Sequence, residues 1–313
     1  MPMVGAIVTK QESNMTAIIL RRRKLGRTSA REIARLANMK VVRNWVPRDW
    51  RGCGGVMDRL IVFRWGCTSS LTDVLQPGLA ATTTVNTAAS ISWCSDKKQG
   101  RLDMQEAGVP VPKTWGTWTA MAADTYGEGE TSPIKIVIRP VRHAQGRNLW
   151  VYDSNTAEAA AKCRELGEFY ISELINKVAE FRVFVCQNRV VWVAQKTPGN
   201  PEDVAWNVAR GGRFDNVRWG DWNTKVIDAA LKASVVSGTD FCGVDVMVDA
   251  EGNAFVLEVN SAPSQTSPYR QASVAKAFDY IVQNGKRHFD KVEWNPSRTW
   301  KSYIHPALWR RDG

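Results

Sequence analysis

Histidine is nearly absent from this chain of 313 residues: His143, His288 and His305 are the only three. They lie far apart, with no spacing that sets a base beside a nucleophile or two ligands on one metal, which argues against a histidine triad or a histidine-bound metal. The six cysteines (Cys53, Cys67, Cys94, Cys163, Cys186, Cys242) are scattered and form no Cys-x-x-Cys pair. That excludes a zinc ribbon and a dense disulfide framework and fits a reducing compartment. No apolar run approaches the roughly 20 residues needed to cross a bilayer. The N-terminus has no charged-then-apolar leader, so the sequence predicts a cytoplasmic protein. No internal repeat is visible, and nothing matches Gly-x-Gly-x-x-Gly, so a dinucleotide fingerprint is absent.

What is present is ordinary globular composition, 44% hydrophobic and 23% charged. It suffices for two or three sub-domains with large cores. The formal net charge is +11, and residues 1–70 alone carry 14 Lys and Arg against 4 Asp and Glu. Almost the whole excess therefore sits in the first quarter. Two readings fit: an acidic partner (nucleic acid, an acidic polypeptide or a phosphorylated metabolite), or a solvated basic surface, because net charge speaks to association and not to a site.

Residues 17–20 read as a buried strand, followed by the run Arg21, Arg22, Arg23, Lys24. Ser29 and Glu32 form a capping-box pattern, predicting a helix to about Asn38. Residues 41–42 and 60–63 are further strands, so the N-terminal part reads as a small α/β layer. Residues 96–107 predict a helix with Leu102, Met104 and Ala107 on its apolar side and Gly108 as its cap. Pro110 and Pro112 force an extended exit. Residues 122–133 read as a loop, 134–138 and 149–152 as strands, 156–166 as a helix and 169–174 as a strand. Gln187 and Asn188 mark a hairpin between residues 181–186 and 189–195. Residues 223–237 and 272–283 read as helices. The tail 291–313 mixes Trp with Arg and Lys, as an arm or as packing.

The sharpest hairpin runs from Gly243 to Asp249 and from Ala254 to Asn260. It sets Asp245 on one strand and Glu258 and Asn260 on the next, where a spacing of two puts the latter pair on one face. The surrounding strands are apolar, and unpaired carboxylates there need a cation or a donor. Three converging oxygen ligands without Cys or His suit Mg²⁺ completing its shell with phosphate oxygens. Asp249 and Glu251, in the turn, read as solvent-facing. Arg139 closes a strand and can neutralise a phosphate, and Gly146 in the following polar segment lets backbone N–H groups approach an anion.

In their order and spacing these segments resemble the ATP-grasp superfamily over about residues 86–265. The nearest likeness is to ligases that add glutamate to the C-terminus of a ribosomal protein (RimK-like), with D-alanine–D-alanine ligases further off. The likeness rests on Asp96-Lys97 opening a helix, the passage from Ala107 to Thr114, and the segment from Arg139 to Gly146. It continues through Tyr170 to Ile175, Glu180-Phe-Arg182, Asn207-Val-Ala-Arg210-Gly-Gly, Gly243-Val-Asp245 and Glu258-Val-Asn260-Ser-Ala-Pro263. The resemblance implies ATP and two Mg²⁺ ions, with Mn²⁺ able to substitute. It implies Lys97 and Arg139 on the phosphates, Gln145 and Gly146 on a flap, and Glu173 and Leu174 as an adenine hinge. Glu180 would meet the ribose, and Lys196 and Asn207 would also face the nucleotide. Asp245, Glu258 and Asn260 would hold metal, and Arg182 and Arg210 would be catalytic, Arg210 facing a carboxyl phosphate.

Three departures stand out. Arg139 replaces the usual lysine, Asn148 replaces a second flap glycine, and Ala205-Trp206 stand where glutamate-adding relatives carry an Arg. The expected fold is therefore mixed α/β and α+β, an ATP-grasp fold behind a small basic α/β domain. The expected boundaries are residues 1–93, lobes 94–168 and 169–290, and a tail 291–313. The expected activity is an ADP-forming carboxylate–amine ligase making an amide bond through an acyl phosphate. Its partners would be a small amine or amino acid and an acidic acceptor (polypeptide, nucleotide or modified DNA) docking on the basic N-terminal domain, where Arg21, Arg22, Arg23, Lys24, Arg27, Arg31 and Arg35 cluster in sequence and Arg31 and Arg35 share a helix face. The alternative is a degenerate ATP-grasp nucleic-acid-binding module without ligase activity.

Overall fold

The computed structural model describes residues 15–21, 27–42, 59–71, 83–126, 132–141, 148–200, 202–206, 211–290 and 300–309. Near the N-terminus, β1 (Met15–Arg21), β2 (Lys40–Val42), β3 (Arg59–Trp65) and β4 (Thr83–Val85) form a parallel sheet in the order β2-β1-β3-β4. Helix α1 (Arg27–Leu36) makes the crossover from β1 to β2. Apolar runs such as Ile18, Ile19 and Leu20 are fully buried, as both faces of a covered parallel sheet require.

Helices α2 (Ala88–Ser95) and α3 (Lys97–Glu106) lead to β5 (Thr114–Trp115) and α4 (Trp118–Tyr126). Then come β6 (Lys135–Pro140), β7 (Trp150–Asp153), α5 (Ala157–Leu166) and β8 (Phe169–Glu173). Strands β5, β8, β6 and β7 make an antiparallel sheet with its own core around Trp115, Met121, Ile136 and Ile171.

The third sheet is antiparallel, in the order β11-β10-β9-β12-β13. Its strands are β9 (Lys177–Cys186), β10 (Arg189–Thr197), β11 (Arg213–Val217), β12 (Phe241–Asp249) and β13 (Ala254–Asn260). Helices α6 (Thr224–Val236) and α7 (Pro268–Asn284) pack on it. Gln187 and Asn188 have φ of +51° and +60°, the two positive values a tight hairpin turn needs.

The largest core joins the first and third sheets. Phe63 stacks on Phe278 at 4.4 Å, and Trp65 stacks on Phe241 at 5.4 Å. The loop leaving β13 is wedged between these sheets. A Cβ on Gly66, whose φ is +63°, would sit 2.8 Å from the Ala262 Cβ, and one on Gly243 would sit 2.7 Å from the Pro263 Cβ. These two glycines let the loop after Asn260 lie flat against β3 and β12.

Four local expectations are corrected. Ser29 does not cap α1: it lies inside the helix, accepts from Gln265 N at 2.8 Å and donates to Gln265 O, while Glu32 pairs with Arg35. The helix expected over residues 96–107 forms as α3, capped by Asp96, but its apolar side is not the expected one: its buried face is Gly100, Arg101 and Met104, with Leu102 half-buried and Ala107 exposed. The loop expected from residue 122 begins later, because α4 continues to Tyr126. Arg21 is 1% exposed, so it is not part of a basic surface. Arg22, Arg23 and Lys24 lie outside the described residues. The tail is packing where it is described: Tyr303 O accepts from Val190 N at 2.7 Å, and Ile304 bridges to Val190.

Replacing Gly243 by Ala should cost about 1–3 kcal/mol of stability through overpacking against Pro263. Gly220→Ala, with nothing within 4 Å of the added carbon, should be near neutral. Denaturant midpoints of the two variants check this, and equal midpoints would refute it.

Candidate functional site

A cavity of about 340 Å³ opens between the second and third sheets. Its lining holds six cations (Lys97, Arg101, Arg139, Lys177, Arg182, Lys196) and four carboxylates (Glu173, Glu180, Asp245, Glu258). Val137, Leu174, Met247 and Leu257 give it an apolar part, and Asn260 stands beside Glu258. Ten of the expected site residues thus line one cavity: Lys97, Arg139, Glu173, Leu174, Glu180, Arg182, Lys196, Asp245, Glu258 and Asn260. Gln145, Gly146, Asn207 and Arg210 lie outside the described residues.

Strand register explains the convergence. Glu180 and Arg182 are two apart on β9 and face the same way. Lys196 of β10 stands opposite Glu180, and Asp245 of β12 stands opposite both Arg182 and Glu258. The result is a ladder of paired charge in which two carboxylates, Asp245 and Glu258, stand side by side between Arg182 and Lys97. The Arg182 fork grips Asp245 with Nε at 2.6 Å and Nη2 at 2.7 Å. Glu180 is held between Lys196 and Lys177, the latter at 2.6 Å. Lys97 reaches Glu258 at 3.0 Å, and the Asn260 amide donates to Glu258 at 2.9 Å.

The electrostatics follow from these contacts. Burial alone would raise the Glu258 pKa, but Lys97, the Asn260 amide and Arg182 together hold it well below the usual carboxylate range. Burial works against the charged form of Arg182, and Asp245 outweighs it and raises the pKa. Burial lowers the Lys177 pKa, only partly offset by Glu180. In the segment after β8, the N–H groups of Glu173 and Leu174 donate to Lys113 O and Lys135 O, both at 2.9 Å. Both N–H groups are thus committed to backbone carbonyls, and Ile175 beside them also lines the cavity.

Could these residues hold a metal and a polyphosphate? Among the described residues no group of three or more His, Cys, Asp or Glu is placed to hold a metal ion. Two carboxylates and an amide oxygen remain, all hard donors, a set that suits a Mg²⁺ ion keeping waters and phosphate oxygens in its shell. Six cations against four acids leave the lining positive, and Arg101 Nη1 is buried without an acceptor. The donor set and the surplus charge both fit the pair. Asn148 has φ +55°, so this Asn does adopt the left-handed backbone where a flap glycine is usual.

Sequence reading missed Arg101 and Lys177 in the lining, named Trp206 only as a departure, and missed Arg270, which packs beside the lining through Phe214. Arg101 carried a signal, since it lies one helical turn after Lys97. Lys177 lies over the Trp206 ring at 4.6 Å. Arg270, 5% exposed, shares the Phe214 ring with Arg182 and Lys196 at 5.7, 4.9 and 5.4 Å. These contacts join segments that no local pattern connects.

Comparisons with known proteins bear on the family and the fold. A sequence model of the RimK-like ATP-grasp domain matches residues 119–281. The chain is 27% identical over 207 residues to the probable alpha-L-glutamate ligase 2 of Hahella chejuensis, covering 64% of this chain and 66% of that one. It is 28% identical over 217 residues to the tetrahydromethanopterin:alpha-L-glutamate ligase of Methanocaldococcus jannaschii, covering 64% and 70%. The match thus spans about two thirds of the length of these curated relatives. Among solved structures, the ATP-grasp ligase PsnB complexed with minimal precursor, Mg and ADP superposes with a TM-score of 0.59 at 15% identity, covering 88% of this chain and 100% of that one. This last likeness is one of fold. Among the described residues no helix is long and apolar enough to cross a membrane.

The depressed Glu258 pKa gives a signed expectation. Its folded value lies below an unfolded value of about 4.3, so its contribution to stability is present above that pH and is lost as pH falls toward the folded value. Acid titration of the unfolding midpoint should therefore fall less steeply below about pH 4.3 in Glu258→Gln than in the unsubstituted chain. Parallel curves would refute the pairing.

Proposed function

The chain belongs to the RimK-like ATP-grasp family, and from that premise we propose that it is an ATP-dependent ligase joining a carboxylate to an amine with release of ADP. The observation that carries this reading is the ladder of paired charges on one sheet face, ending in Asp245, Glu258 and Asn260. A neutral ligand gains nothing from six cations in one cavity, whereas a metal–polyphosphate does. When bound, Mg²⁺–ATP supplies a phosphoryl group that turns a carboxylate, a poor electrophile, into an acyl phosphate open to amine attack.

The chain's own residues do the rest. Lys97 and Arg139 hold the phosphates, and Arg139 does so as a fork where a lysine would act as a point charge. Asp245, Glu258 and Asn260 hold the metal. To do so Asp245 gives up Arg182, and Glu258 gives up Lys97. Both released cations then face the group being transferred, where fixed positive charge lowers the barrier most. Glu180 keeps Lys177 and Lys196 aimed into the cavity and is the candidate contact for the ribose. Gln145, Gly146, Asn207 and Arg210 complete the proposed set on the flap and the turn.

The names of the relatives make glutamate the first amine to test, although Ala205-Trp206 stand where those relatives carry an Arg. For the acceptor we propose an acidic molecule meeting the N-terminal sheet. This is supported by Ser29, which ties α1 to Gln265 just beyond the Asn260 loop, and by exposed Arg31 on that helix. Nothing in the geometry favours the nucleic-acid module over the ligase.

ADP release, screened over amino acids and polyamines with acidic acceptors and followed by product mass, tests the activity. Glu258→Gln should lose activity on the order of 100-fold. It should also lose the thermal stabilisation that ATP with Mg²⁺ gives the unsubstituted chain. Unchanged behaviour in both measurements would remove the metal assignment.

A further inference from the structure

Among the buried donors without an acceptor in the described residues, two belong to residues lining the cavity, Arg101 Nη1 and Trp206 Nε1, and of these Arg101 alone carries charge. Arg101 lies on α3 one turn after Lys97, so the two side chains share a helix face. It is 4% exposed. Its Nε donates to Leu257 O at 2.5 Å, and its Nη1 is buried with no partner among the described residues. The nearest acid of the ladder, Glu258, is already paired with Lys97. Burial lowers the Arg101 pKa to about 10, with the charge of Arg139 adding to the effect, so the group stays charged at neutral pH. A charged, desolvated N–H left without an acceptor is costly to a fold, and a ligand that accepts from it removes that cost.

Position narrows the choice of ligand atom. Lys97 is anchored at Glu258, on the metal end of the cavity. Arg101 is anchored on the backbone of Leu257, whose side chain belongs with Val137 and Met247 to the apolar part that suits a base. Arg101 therefore lies on the base side of Lys97. Going from base to metal, the first anionic group of a nucleotide is its innermost phosphate.

We infer that Arg101 is a third phosphate-binding cation of this cavity, beside Lys97 and Arg139, and that it takes the innermost phosphate of the nucleotide. The inference rests on the nucleotide reading of the cavity. A guanidinium suits the task because its planar fork meets phosphate oxygens with parallel N–H groups.

Calorimetric binding of adenosine, AMP and ADP to the unsubstituted chain, Arg101→Gln and Arg101→Lys tests it. Arg101→Gln should weaken AMP and ADP at least about tenfold while leaving adenosine within about twofold, since a neutral amide brings the phosphate neither positive charge nor a fork of parallel N–H groups. Arg101→Lys should lose about threefold for AMP and ADP, because it keeps the charge but not the fork. If the Gln variant fails to fold in a thermal melt, the Lys variant carries the same comparison. Unchanged AMP and ADP binding would overturn the inference. So would an equal loss for adenosine, which would make Arg101 a prop for Leu257 or a contact to the base. If the unsubstituted chain binds none of the three, the nucleotide reading falls, and this inference falls with it.

Discussion

Six cations can share one small cavity only because carboxylates stand between them. Lys196, Glu180, Arg182, Asp245, Glu258 and Lys97 follow one another across four neighbouring strands and α3, and each side chain meets a partner of opposite sign. Such pairs add little net stability, since desolvating two ions offsets most of their attraction. They act instead on register. A slip of one residue in β9 or β12 would turn the charges into the core formed by Val183, Val185, Val244 and Val246, and turn those valines toward the cavity. The apolar core and the charge ladder therefore constrain each other.

The ladder also prepares the acids for their proposed use. A carboxylate that binds metal must be ionised before the metal arrives. Glu258 is held ionised by Lys97 and Asn260, and Asp245 lies in the fork of Arg182. The same four cation and carboxylate side chains can thus serve two partner sets, pairing with each other in one and with metal and phosphate in the other. This keeps the buried charges of the cavity compensated in both states.

Much of this is legible in the chain itself, for particular reasons. The hairpin from Gly243 to Asn260 announces itself through apolar strands and a turn, and the spacing of Glu258 and Asn260 places both on one face. In the second hairpin, Gln187 and Asn188 signal the turn that their positive φ values make, because no apolar residue interrupts the break between two apolar strands. What stays hidden depends on contacts distant in sequence. Ser29 looks like a helix cap because Glu32 follows it three residues later, but its real partner is Gln265. Arg21 looks like part of a basic surface because its neighbours are basic, but β1 carries it into the interior. Lys177 and Trp206 meet only because β9 and the segment after β10 return to the same cavity.

The shared core of the first and third sheets has a consequence for how the chain is made. Phe63 and Trp65 are completed by Phe241 and Phe278, which leave the ribosome long after the N-terminal sheet has been synthesised. Until then β3 presents two large aromatic side chains and a parallel, slow-pairing sheet to its surroundings. Elongation at about 5–20 residues per second sets that interval at roughly ten seconds or more. Aggregation risk should therefore be concentrated in nascent and C-terminally truncated chains, and folding helpers that bind exposed aromatic strands would act on the first quarter of this molecule.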